Sequence, residues 1–377
     1  MNRRLLLTVD EGTGSLAAVR ALRAAGWEPW IAPALPGTPS ARSRAAAGIV
    51  EAPDPKSDPE GFATALAREA SLLGVAAVLP GGEGPLRALT GREARFEGIP
   101  VGTAPAEALD RATDKAQLPE LARRAGLESP PTAELRAGED LPAEIGFPAV
   151  VKPLRSVSVA GGGLRTGKVS RVETAGELQR ALAEAPGEPW LVQPYLTGTL
   201  SAIGGVAWEG ELVSACHQVS PRIWPVGRGI SSYAVTVPPD RAREDGVGRL
   251  LGLGGWSGVY GIQFLVAEGH SYVIDLNPRI YGSTALAVAA GHNLPAIWVE
   301  LLLGRRPQVP PYRVGTRYRV EEDDVRALVS ELRNGRWGAA LGGLVPRRHT
   351  VHGIFSLRDP APSLETLAKL RRRVRGR

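Results

Sequence analysis

The sequence is poor in cysteine, methionine, lysine and aromatic residues. Cys216 is the single cysteine among 377 residues, which excludes an internal disulfide framework, argues against a cysteine-rich metal site and fits a reducing compartment. No apolar run is long enough to span a bilayer, so no membrane partner is expected. The opening run Leu5 to Val9 is too short for the apolar region of a signal peptide, and the expected location is the cytoplasm. Lysine occurs only at Lys56, Lys115, Lys152, Lys168 and Lys369, so the formal charge of +6 is carried by arginine. Much of that excess lies between Leu370 and Arg377, where a solvated helix end explains it better than contact with a polyanion.

What is present is globular. With 43% hydrophobic and 22% charged residues the chain can bury a sizeable core, and its length suits two or three units rather than one. Leu5 to Val9, the helical spacing of Ser15 to Ala25 closed by Gly26, and Trp27 to Ala32 form a β-α-β opening. A helix over Gly61 to Leu73, a strand at Ala76 to Leu79 and a loop at Gly81 to Gly84 repeat it. Gly12-Thr13-Gly14 falls short of the dinucleotide fingerprint. Beyond Thr103 the pattern predicts a helix around Ala112 to Ala125, a strand at Ala149 to Pro153, a helix over Ala175 to Ala185 and a strand ending at Gln193. Strands then dominate, with a hairpin between Gly258 and Leu276 and a helix at Thr284 to Ala290. An acidic-started helix at Glu321 to Arg333, a strand-like Thr350 to Leu357 and an amphipathic helix complete the chain.

Chemistry concentrates in the hairpin. Asp275 and Asn277 share a strand face because side chains alternate with period two, and a turn about Gly269 puts Gln263 opposite Asp275. One carboxylate and two amide oxygens then converge as hard ligands suited to Mg2+, which completes its shell with water and substrate phosphates. Val159 to Leu164, with Gly161, Gly162 and Gly163, is suited to close backbone approach to a phosphate, or is a plain hairpin tip. Gly162 to Lys168 nearly spells a P-loop, but Val169 takes the required Ser/Thr position and a strand follows where a helix is needed.

These elements resemble the ATP-grasp superfamily. Asp275-Leu-Asn277-Pro278-Arg279 is similar to its Glu-x-Asn-Pro-Arg metal and phosphate motif, Asp114-Lys115 to its Asp-Lys element, and Val150-Val-Lys152-Pro153 to its Val-Lys-Pro strand. Val192-Gln193-Pro-Tyr195-Leu196-x-Gly198 resembles its adenine hinge, and the order of the four is right. The likeness is closest to the branch of carbamoyl-phosphate synthetases and carboxylate-amine ligases. It implies an α/β and α+β architecture: an N-terminal Rossmann-like (pre-ATP-grasp) domain at 1–102 and a two-lobed ATP-grasp fold. The lobes would be a small subdomain at 103–192 and a large one at 193–320 with the metal hairpin, before a C-terminal extension at 321–377.

The resemblance further implies ATP and Mg2+ as cofactors. ATP would be held by Lys115, Lys152, the glycine loop Gly161 to Gly163, and the hinge residues Gln193, Tyr195 and Leu196. The metal would be held by Gln263, Asp275 and Asn277. Arg279 would stabilise the transferred phosphate and the oxyanion, while Arg222 and Arg228 are candidates to hold a substrate carboxylate. The expected reaction joins a small-molecule carboxylate and an amine through an acyl phosphate, and a homodimer is the default assembly. Gln263 stands where many members carry Glu, Asp275 is a methylene shorter than Glu, and Thr199 replaces a frequent ribose-binding Glu. A kinase or bicarbonate-using carboligase on the same fold, a non-catalytic ATP-binding regulator, and an arginine-tail nucleic-acid binder are the alternatives.

Overall fold

A computed structural model describes residues 2–33, 37–154, 158–160, 163–165, 169–184, 189–227, 229–338, 345 and 347–375. The fold is mixed α/β. Strands β1 (Arg4–Val9), β2 (Glu28–Pro33), β3 (Gly48–Ile49) and β4 (Ala77–Leu79) form a parallel sheet in the order β3-β2-β1-β4. Leu5, Leu6 and Leu7 are all fully buried, because a parallel strand covered on both faces needs a continuous apolar run. Helix α1 (Thr13–Ala24) buries Leu16, Val19 and Leu22 at helical spacing and ends before Gly26, whose φ is 87°. Helices α2 (Pro59–Leu73) and α3 (Glu83–Leu89) follow; Asp58 caps α2 by accepting from the Gly61 amide. The expected loop at Gly81 to Gly84 is shorter than predicted, since Gly82 is the N-cap of α3.

This sheet does not stand apart. Leu5, Leu7 and Leu22 belong to one apolar cluster with Val259, Tyr281 and Trp298. At Gly14 a Cβ would lie 2.3 Å from the Tyr281 carbonyl oxygen, so only glycine lets the start of α1 approach that backbone.

The helix expected around Ala112 to Ala125 is two helices, α4 (Ala106–Thr113) and α5 (Leu118–Arg124). Pro119 has no N–H to donate and its ring conflicts with a carbonyl four residues earlier, so it can only begin a helix. Asp114 turns extended at the break.

The second sheet, β5-β10-β6-β9, is antiparallel and consists of β5 (Ala133–Leu135), β6 (Ala149–Pro153), β9 (Ser170–Val172) and β10 (Trp190–Pro194). Strands β7 (Ser158–Ala160) and β8 (Gly163–Arg165) pair separately, and α6 (Ala175–Leu182) covers the sheet with Leu178 and Leu182. Residues 195–198 then cross to a seven-stranded sheet ordered β15-β14-β11-β12-β13-β16-β17. Its members are β11 (Thr199–Trp208), β12 (Glu211–Trp224), β13 (Ile230–Thr236), β14 (Gly258–Ala267), β15 (His270–Asn277), β16 (Arg317–Arg319) and β17 (Thr350–His352). Helices α7 (Arg241–Gly254), α8 (Thr284–Ala290), α9 (Leu294–Leu302) and α10 (Glu321–Arg333) flank it, and α11 (Ala361–Arg375) ends the described chain. The strand expected at Thr350 to Leu357 stops at His352. No single helix among the described residues is long and apolar enough to cross a membrane.

Candidate active site

The hairpin β14–β15 turns at Glu268 and Gly269, both with positive φ (52° and 86°), the geometry of a two-residue turn. Such a turn alone would set Gln263 opposite Ile274. A bulge intervenes: Phe264 pairs with Val273 and Gln263 with Asp275, leaving Ile274 as the extra residue. Its effect is visible in burial. Val273 and Leu276, three residues apart, both enter the core, while Asp275 and Asn277 remain partly exposed on the other face. The expected pairing of Gln263 with Asp275 therefore exists, though by a different route.

The bulge also presents the Ile274 carbonyl to Lys152. Lys152 Nζ donates to it at 3.0 Å from β6, across the gap between the two sheets. Lys115, in the break between α4 and α5, lies with Nζ 3.3 Å from Asp275 Oδ1. Burial pushes the Lys152 ammonium down to about 8; the Asp275 carboxylate pulls it up, and the neighbouring Lys115 charge lowers it again. Of the five lysines, Lys115 thus pairs with Asp275 directly and Lys152 stands within reach of its charge. Asn277 Nδ2 donates to Asp275 Oδ2 at 3.0 Å, and Arg279 donates to Asn277 Oδ1 at 3.2 Å and to the Ile280 carbonyl at 3.0 Å. Lys115, Lys152, Asp275, Asn277 and Arg279 form one polar array, with Gln263 paired to it across the strands.

Gln193 ends the small sheet with a buried side chain donating to Thr132 Oγ1 at 2.7 Å. The Tyr195 amide donates to the Pro148 carbonyl, and the Arg171 guanidinium lies 4.0 Å above the Tyr195 ring. Leu196 is half-buried and makes no backbone–backbone hydrogen bond among the described residues. Gly163 starts β8 opposite Ala160. Gly161, Gly162 and Arg228 lie outside the described residues.

Arg222 is paired within the protein. Its guanidinium makes two hydrogen bonds to Asp324, at 2.6 and 3.0 Å, and stacks 4.2 Å from the Tyr233 ring centroid. Arg319 approaches the same carboxylate at 2.8 Å, and the Asp324 side chain is 1% exposed. The bidentate partner read for Arg222 is thus a residue of the protein, an arrangement that a substrate carboxylate and an internal aspartate share at the level of sequence.

Beside Gln263, Asn277 and Arg279 opens a cavity of about 860 Å³. Its other walls include the segment Asp10 to Ser15, which leads from β1 into α1, Glu321, Glu322, Asp323, Val325 and Arg326 at the start of α10, and Ile354, Phe355 and Leu367 from the C-terminal segment. That segment is stitched in place at the start of α1, since Thr13 Oγ1 donates to the Gly282 carbonyl at 2.9 Å and Tyr318 reaches both. Sequence reasoning missed these walls. The short Gly12-Thr13-Gly14 turn at the end of a parallel strand is the available signal, and read alone it speaks only to dinucleotide binding.

For a magnesium nucleotide the donors fit. Asp275, Gln263 and Asn277 offer hard oxygens on one hairpin, with the Lys115 ammonium on the carboxylate and the Lys152 ammonium on the adjoining Ile274 carbonyl, where phosphates would compete for them. Among the described residues there is no group of three or more His, Cys, Asp and Glu side chains that could build a metal site without substrate oxygens.

Residues 187–324 match the family model described as ATP-grasp in the biosynthetic pathway with Ter operon. The carbamoyl phosphate synthase large chains of Vibrio cholerae serotype O1 and of Thermus thermophilus are 28% and 29% identical over 62% and 55% of this chain. This chain spans only 23% and 21% of their lengths. Among solved structures, L-amino acid ligase from Bacillus licheniformis superposes with a TM-score of 0.58 at 17% identity, over 80% of this chain and 74% of that one. Biotin carboxylase from Campylobacter jejuni, in a complex with an ATP compound, gives 0.63 at 17% identity over 84% and 74%. N5-carboxyaminoimidazole ribonucleotide synthetase from Thermus thermophilus gives 0.61 at 19% over 83% and 81%. The ordered lysine, hinge and Asp-x-Asn-Pro-Arg elements thus stand on a fold similar to that of these proteins, and residues 187–324 carry the ATP-grasp family match.

Proposed function

We propose that the protein is an ATP-dependent carboxylate-amine ligase that forms a C–N bond through an acyl phosphate and releases ADP and phosphate. The observation that carries this reading is continuity: Gln263, Asn277 and Arg279, at the phosphate end of the array, also line the substrate-sized cavity. An acceptor seated there reaches the γ-phosphate without leaving the site.

In this reading Lys115 and Lys152 bind the phosphates, and the backbone N–H and C=O of Leu196 face the adenine edge. Asp275, Asn277 and Gln263 would hold Mg2+, whose contribution is to neutralise charge on the transferred phosphoryl group. A carboxylate oxygen attacks the γ-phosphorus, and ADP leaves. The amine then attacks the acyl carbon, Arg279 stabilises the oxyanion, and phosphate departs. Positioning and electrostatics supply the catalysis, so no nucleophilic side chain is required.

One observation favours a second reading, a nucleotide-binding regulator: the metal face has a single carboxylate, Asp275, already engaged by Lys115. The deciding experiment incubates the protein with Mg-ATP and pooled carboxylates and amines, resolves ADP from AMP, and records product masses. ADP with a mass equal to carboxylate plus amine less one water is the expected result. A phosphorylated alcohol or a carboxylated product transfers the reading to a kinase or carboligase. Nucleotide binding without turnover across the panel supports the regulator.

A further inference from the structure

The cavity's own chemistry separates two kinds of substrate that the ATP-grasp fold leaves open. Of its lining residues, Ile230, Val325, Phe355 and Leu367 are large hydrophobics exposed by 60%, 57%, 46% and 53%. Large apolar side chains left in water around a single concavity mark a surface that an apolar ligand covers. Bicarbonate has four heavy atoms and no apolar part, and needs neither this volume nor these walls.

Phe355 and Leu367 come from the C-terminal segment, beyond the residues 187–324 that the family model matches. The segment is fixed in position by contacts reaching the other end of the chain. Asp359 accepts from Arg20 Nε at 2.8 Å, Ser43 Oγ at 2.6 Å and the Arg44 amide at 3.0 Å, and Arg20 also donates to the Ile354 carbonyl at 3.0 Å. The wall is therefore pre-organised.

We infer that Phe355 and Leu367 form the selectivity wall of the acceptor cavity, and that the carboxylate taken there carries an aliphatic or aromatic side chain. This rests on the ligase reading for what happens to that carboxylate, but its binding is separable. The carboxylate group lies toward Arg279, and the apolar part lies along the C-terminal segment.

The test titrates acetate, butyrate, hexanoate and 3-phenylpropionate into the full-length protein saturated with magnesium and a non-hydrolysable ATP analogue. Affinity is expected to rise by up to about fourfold per buried methylene along the aliphatic series. Phe355→Ala and Leu367→Ala should each flatten that rise while leaving the affinity for the ATP analogue unchanged. Phe355→Leu, which keeps the wall apolar, should retain most of the preference. Equal affinity for acetate and hexanoate, no binding of either, or a preference untouched in both alanine variants would overturn the inference. ADP release is read separately: hexanoate bound selectively but never activated, with any amine, would sink the ligase reading and leave the selectivity wall standing.

Discussion

Lys152 is the residue whose chemistry is most exposed to test. Its ammonium is charged below about pH 8 and neutral above, so affinity for a magnesium nucleotide should fall as the pH rises beyond that point, by at most about tenfold per pH unit. Lys152→Arg keeps its charge throughout and should remove the slope; calorimetric titrations at pH 7 and pH 9 compare them. The same burial penalises the folded state by about 3 kcal/mol while the group is charged. That penalty is fully present below about pH 8 and is relieved as the pH rises toward 10.5. Asp275→Ala should abolish ADP release in a protein that still folds, because its carboxylate is partly exposed and lies outside the apolar core. Asp324 differs: Asp324→Ala leaves Arg222 and Arg319 facing one another without their shared buried partner, and a loss of roughly 3–5 kcal/mol in denaturant unfolding is expected. A melting temperature unchanged by that substitution would return Arg222 to the substrate side.

At the scale of elements, the bulge in β15 is the informative feature. Deleting Ile274 would leave Val273 and Leu276 toward the core and Asp275 and Asn277 outward, with Gln263 still opposite Asp275, but Lys152 would lose its carbonyl acceptor. Because a hydrogen bond to a charged group contributes about 1.5–3 kcal/mol, nucleotide affinity should weaken about tenfold or more in a protein that still folds. Wild-type affinity in the deletion variant would show that the carbonyl does not orient the lysine. Period-two alternation correctly places Asp275 and Asn277 together. It cannot find the bulge, since an extra residue is defined only against the partner strand. Likewise, helical spacing runs across Asp114, yet Pro119 forces a new start, and that break is what carries Lys115 to Asp275.

For the molecule as a whole, Asp359 joins the end of the chain to α1 and to the segment after β2. Burial raises its carboxyl, but Ser43, the Arg44 amide and Arg20 outweigh this and hold it below the usual range. Its contribution is present above the ordinary carboxylate pKa and is lost as the pH falls through and below it. Asp359→Ala should cost a few kcal/mol and speed proteolytic cutting within residues 347–375, measured by thermal melting and timed digestion.

The residues proposed to hold the nucleotide were legible in one dimension: Lys115, Lys152, the hinge at Gln193 to Leu196 and Asp275 to Arg279 lie in short segments whose local chemistry survives without partners. The cavity beside them was not. It draws on Asp10 to Ser15, the start of α10, Phe355 and Leu367, which are separated by hundreds of residues and meet only when the parallel sheet, the seven-stranded sheet and the terminal helix pack together. Arg222 shows the same division. A guanidinium's need for a carboxylate is written in its chemistry, but whether that carboxylate is a substrate or Asp324 depends on a contact across 102 positions that only folding brings about.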